Sequence, residues 1–145
     1  MATYNRLKEL GSGSFGTVYL VEHPQTKKQF ALKIVENSDS VYAEQEVEIL
    51  KMTKHKHIIE YHSSFRSAAD GKLCILLEYA DRGTFESIYS KATFVIREYH
   101  VWRALGHISS ALSYLHNLKV ICNSFIYHFN LKSLLLDLKS LYHFM

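Results

Sequence analysis

Proline occurs once in the 145 residues, cysteine twice and glycine six times. So few chain breakers exclude a collagen-like or low-complexity chain. Cys74 and Cys122 stand far apart, with no CxxC spacing. That excludes a zinc site or a dithiol redox motif, and both read as buried thiols of a reducing compartment. An excess of one charge is also lacking: 17 Lys and Arg face 14 Asp and Glu, for a net charge of +3. With the basic residues scattered, neither a nucleic-acid partner nor a membrane-surface role is expected. The opening MATYNRLKEL has no apolar core followed by a small-residue cleavage site, so it is not a secretory signal. The most apolar region is the C-terminal tail. Its longest uncharged stretch, residues 120–131, is about half of the ~20 residues a membrane helix needs. The expected location is therefore the cytoplasm, with the nucleus as the alternative. What is plentiful is core material: 48% of the residues are hydrophobic, and a chain of this size buries roughly 70% of the surface its unfolded form exposes.

Three zones follow one another. From Leu7 to Val35 the segments LKEL, GTVYLVEH and QFALKIV alternate apolar and polar residues, with a turn at residues 24–28. Three antiparallel strands are predicted. Between about Tyr42 and Thr53, Val47, Ile49, Leu50 and Met52 share an arc opposite Glu44, Glu48 and Lys51, which predicts a helix. HIIEYHSSF and KLCILLEY then read as two more strands. Past ADRGT, a short helix is expected near Thr84, a good N-cap residue. A longer helix is expected over about residues 97–116, with Val101, Trp102, Leu105, Ile108, Ala111, Leu112 and Leu115 on one face. Residues 120–145 contain no Gly, Pro, Ala, Glu, Arg, Thr or Gln and read as an atypical apolar tail, either intron read-through or an alternative terminal exon.

The chemistry sits in the first zone. Leu10, Gly11, Ser12, Gly13, Ser14, Phe15, Gly16 and Val18 spell GxGxxGxV between two strands. Glycines there allow close backbone approach to phosphate, with N–H groups facing the anion. Because a strand follows rather than a helix, the dinucleotide-binding reading loses its context. On the third strand, alternation puts Lys33 with Ala31 and Val35 on the core side, away from Leu32 and Ile34. An inward lysine needs a partner, and Glu46 is offered from the helix, with Glu44 and Glu48 as competing carboxylates. The run Lys51 to His57 is read as a solvated helix end, in preference to a nucleic-acid patch or a His55/His57 metal pair. Tyr99 and Trp102 are read as packing residues of the long helix.

In order, the Gly-rich loop, Ala31-Leu32-Lys33, Glu46 and Leu76-Leu77-Glu78-Tyr79-Ala80-Asp81 resemble the eukaryotic protein kinases over about residues 4–118. GSGSFGTVYLVEH and EVEILKMTKHKHIIEYHSSF resemble the NIMA-related Ser/Thr kinases. The resemblance implies an α+β fold: a five-stranded antiparallel small lobe with one helix over residues 4–80, a partial helical large lobe over 81–119, then the tail. It implies ATP as ligand and a protein substrate or partner. Lys33, oriented by Glu46, would hold the α- and β-phosphates. Leu77 would be the gatekeeper, the Glu78 carbonyl and Ala80 N–H would meet the adenine edge, and Val18 and Ala31 would cover its faces. The family's catalytic loop and DFG segment have no clean counterpart. His128-Phe129-Asn130-Leu131-Lys132 is a faint likeness in which Asn130 replaces the catalytic Asp, and an amide is no general base. Magnesium is expected for the family, but its ligands are absent from this sequence. The chain is therefore expected to bind nucleotide without being catalytically competent itself; the alternative is a noncatalytic, pseudokinase-like module that docks on a protein partner.

Overall fold

The computed structural model describes residues 4–13, 16–37, 41–81 and 98–119, with side chains described from Val101 onward in the last segment. Strands β1 (Asn5–Gly13), β2 (Gly16–Glu22), β3 (Gln29–Ile34), β4 (Tyr61–Arg66) and β5 (Leu73–Glu78) form one antiparallel sheet in the order β1-β2-β3-β5-β4. Helix α1 (Val41–Met52) lies in the connection from β3 to β4, and helix α2 (Glu98–Asn117) follows the sheet in sequence. The expected fold, a five-stranded antiparallel small lobe with one helix followed by helical structure, is what these elements form.

The residues fall into two compact units. One comprises Met1–Thr53 with Glu60–Tyr79, and the other Lys54–Ile59 with Ala80–Met145. In the first, the β2–β3 turn closes through His23 N–H to Lys28 O and Lys27 N–H to His23 O, each at 2.9 Å, with Lys27 at φ 58°. Gly71, at φ 71°, serves the β4–β5 turn, where a residue with a Cβ would be strained. Gly16, opening β2 at φ 132°, is the tightest of the described glycines: a Cβ there would collide with the Ile34 carbonyl oxygen. Only glycine lets β2 lie against the end of β3.

Both faces of the sheet are apolar. Val21, Phe30, Leu32, Cys74 and Leu76 form a core on one face, with Tyr4, Tyr19, Ile34 and Phe65 against it. Leu20, Ile75 and Val35 are buried as well, and residue-by-residue pairing puts Leu20 and Ile75 with Ala31 and Lys33 on the opposite face. The sequence reading placed Leu32 and Ile34 away from the core; in fact their side has a core of its own. α1 buries Ala43, Glu46, Val47 and Leu50, the i, i+3, i+4, i+7 stripe of a helix packed on one side. Met52, expected on that stripe, is 56% exposed, because it falls about 170° from the centre of the buried arc. Thr53 ends the helix, its hydroxyl donating to Leu50 O at 2.9 Å.

The strand predicted to start at His57 starts at Tyr61 instead. Residues 56–58 turn, with Ile58 N–H donating to His55 O at 3.0 Å, so a β-like composition is overridden by a local bend. In the second unit, α2 buries Ala111 and Leu115, whereas Val101, Trp102 and Leu105 are exposed, Trp102 at 64%. The reading of Trp102 as a packing residue is corrected: the apolar stripe is covered only along its C-terminal half. The short helix near Thr84, Tyr99 and the tail with Cys122 lie outside the described residues.

Candidate functional site

The site is built on the face of β2, β3 and β5 that carries Lys33. Lys33 pairs with Val18 on β2 and with Ile75 on β5, and Ala31 pairs with Leu20 and Leu77. Directly paired residues project to the same side of a sheet, so Val18, Ala31, Lys33 and Leu77 share one surface. Lys33 Nζ donates to Glu46 Oε1 at 2.6 Å and to Oε2 at 2.8 Å. The two side chains are only 14% and 11% exposed. A buried ammonium and carboxylate in forked contact fix each other's position, since neither can leave without stranding a charge. Of the three carboxylates weighed from the sequence, Glu46 is the one at Lys33. Glu48 pairs with Lys51 at 2.8 Å and Glu44 faces Arg66 at 3.9 Å, both on the solvent side.

The Gly-rich segment forms the hairpin of β1 and β2, with Gly11 opposite Val18, Ser12 opposite Thr17 and Gly13 opposite Gly16. Register shifts leave Leu7 and Leu10 out of the pairing, and Leu10 is exposed. Ser14 and Phe15, at the tip, lie outside the described residues. A Cβ at Gly11 or Gly13 would meet nothing within 4 Å. The backbone there is open to a close-approaching group, which is what a phosphate contacting main-chain N–H groups requires. Leu77 is half-buried opposite Ala31, while Glu78 donates its N–H to Glu60 O at 2.9 Å and ends β5. Ala80 begins the second segment of the second unit.

One neighbour escaped the sequence reading. Ile75, wholly buried, stands beside Lys33 and supplies the apolar floor against which the ion pair is held. Its signal lay in the unbroken LCILLE run, which marks a strand covered on both faces. Asn130 lies outside the described residues. Among the described residues no group of three or more His, Cys, Asp or Glu is placed to hold a metal ion.

A strand lysine clamped by a helix carboxylate, beside a glycine hairpin on a five-stranded antiparallel sheet, is the architecture of a protein-kinase small lobe. The comparisons with known proteins agree: residues 4–134 match the protein kinase domain, and the chain belongs to that family. The match runs past residue 118, where the sequence reading ended the likeness, and takes in the segment of Asn130. The chain is 36% identical over 120 residues to mitogen-activated protein kinase kinase 9 of Arabidopsis thaliana, covering 80% of this chain and 37% of that protein. It is 33% identical over 121 residues to a probable myosin light chain kinase of Dictyostelium discoideum, covering 81% and 37%. A serine/threonine-protein kinase of Drosophila yakuba is 28% identical over 125 residues, covering 83% and 16%. The chain thus spans well under half the length of these relatives. Among the described residues no helix is long and apolar enough to cross a membrane.

Proposed function

We propose that the chain binds ATP as the small-lobe half of a Ser/Thr protein kinase site. The observation that carries this reading is the buried Lys33–Glu46 pair on the same sheet face as Val18, Ala31 and Leu77. In the proposal, Lys33 holds the α- and β-phosphates while Glu46 keeps the ammonium from folding away. Backbone N–H groups of residues 11–16 cover the phosphates. Val18 and Ala31 sandwich adenine, Leu77 sets the depth of the pocket, and the Glu78 carbonyl and Ala80 N–H read the adenine edge. Bound ATP supplies a transferable γ-phosphoryl group, which in the family goes to a protein hydroxyl. The NIMA-related likeness belongs to this proposal as its finer form.

Asn130 favours a noncatalytic outcome. If it occupies the place of the proton-accepting Asp, its amide cannot take the hydroxyl proton at neutral pH. The chain then acts as a nucleotide-binding module for a protein partner. Titration of the full chain with a fluorescent ATP analogue, alongside transfer of labelled γ-phosphate to a mixed protein substrate, tests both parts. Expected are saturable nucleotide binding that weakens at least about tenfold in Lys33→Met, and no phosphotransfer above the Lys33→Met background. Wild-type chain that fails to bind nucleotide overturns the site. Transfer that disappears in Lys33→Met overturns the noncatalytic reading.

A further inference from the structure

The second unit contains a cluster of rings that the nucleotide site does not use. Residues 54–59, between α1 and β4 in sequence, lie against the face of α2 that carries His107, Ser110 and Tyr114, spaced three and four apart. His57 stacks on His107, with ring centroids 3.9 Å apart and planes at 16°. His55 stacks on Tyr114 at 5.1 Å and meets His57 edge-on at 5.4 Å. Tyr114 OH accepts from the Lys54 N–H at 2.9 Å. The His57 backbone N–H donates to His55 Nδ1 at 3.2 Å, and His55 Nε2 lies 3.2 Å from Ser110 Oγ.

The bond from the His57 N–H requires a His55 Nδ1 without hydrogen, so it forms only with the Nε2–H tautomer, whose hydrogen is directed at Ser110. Two imidazoles face to face at 3.9 Å are compatible with at most one positive charge between them. Among the described residues, Lys56 and His55 from its own segment and His107 from α2 each add positive charge against His57.

We propose that His55, His57 and His107 form an acid-sensitive latch that holds residues 54–59 on α2 while the imidazoles are neutral and releases them on protonation. Protonating His55 destroys the acceptor of the His57 N–H. Protonating His57 or His107 puts a cation against a neighbour already surrounded by cationic or ionisable groups. Burial acts in the same direction, and with His107, Lys56 and His55 it lowers the His57 pKa from its ordinary 6.5 to about 4. The latch therefore resists the first proton and then yields when it is forced on.

Amide hydrogen exchange on the full chain, from about pH 7.5 down to about pH 5, tests the latch. After correction for intrinsic exchange, protection of the Lys54 and His57 amides should fall at least about tenfold. The Val35 amide, bonded to Leu73 O in the first unit, should hold. The triple variant His55→Asn/His57→Phe/His107→Phe keeps an acceptor for the backbone N–H of residue 57 and a stacked pair of rings but cannot gain those protons; it should stay protected at pH 5. Such acid resistance is a gain that a misfolded variant cannot mimic. His23→Gln, outside the cluster, should open like the wild type. Protection unchanged in the wild type, or a triple variant opening at the wild-type pH, overturns the latch. Ring titration of the wild type by NMR decides independently. Deprotection and imidazole protonation with one shared midpoint supports the latch, and rings that titrate near 6.5 with the amides unmoved refute it.

Discussion

Breaking the Lys33–Glu46 pair should cost more stability than replacing it whole. At 2.6 Å and an effective dielectric of about 20, the gross attraction is about 6 kcal/mol. Most of that offsets the desolvation of two charges, so the net contribution of the intact pair is small. Glu46→Gln leaves the ammonium of Lys33 stranded against Ile75, and Lys33→Met leaves the carboxylate stranded. Each single change should destabilise the chain by about 3 kcal/mol. Lys33→Met/Glu46→Leu replaces both charges with apolar groups that α1 and β3 can pack, and should return to within about 1 kcal/mol of the wild type. Urea unfolding followed by circular dichroism reads this directly. With a slope of about 2 kcal/mol/M, each single variant should lower the midpoint by about 1.5 M. The double variant would recover most of that while binding no nucleotide, which separates the pair's role in folding from its role at the site. Single variants that lose less than about 1 kcal/mol, or a double variant whose loss equals their sum, would show that the pair is hydrated and refute the argument.

Gly16→Ala should be severe, losing more than about 2 kcal/mol in a thermal melt, because the new methyl meets the Ile34 carbonyl. Gly11→Ala, with open space around it, should cost under about 1 kcal/mol yet weaken ATP-analogue binding. Leu50→Ala, in the buried stripe of α1, should lose about 2–5 kcal/mol by chemical denaturation, whereas Met52→Ala, on the exposed side, should lose less than about 1. The sign of the pH dependence follows from His57, whose pKa lies below its unfolded value. Its contribution of about 3 kcal/mol is complete above about pH 6.5 and disappears as pH falls towards 4. Melting temperatures across that window should drop in the wild type and flatten in His57→Asn.

Period-two alternation in QFALKIV was enough to put Lys33 on the face of Ala31. Residue pattern left Glu44, Glu46 and Glu48 competing as its partner, and the choice of Glu46, at 2.6 Å from Lys33, came from the family resemblance. The face of α1 was legible for Val47 and Leu50 but not for Met52, whose composition is apolar and whose angle around the helix is not. Neither the nine exposed residues of β1 nor its two bulges could be read from sequence. Exposure at a sheet edge depends on which strand ends up outermost, and the bulges depend on pairing with β2. The imidazole stack was equally hidden: it joins His57 to a residue fifty positions away, and local pattern carries no distance of that kind.

Residues 54–59 make the chain cross between its two units three times, after Thr53, after Ile59 and after Tyr79. A fragment cut at Tyr79 would keep the whole sheet yet carry a six-residue loop stripped of the helix its rings rest on. Exchanging the first unit for that of another protein at a single splice point would import a foreign loop along with it. The two units are interleaved in sequence, so a shuffled chimera should keep its parent's stability only when His107, Ser110 and Tyr114 travel with residues 54–59.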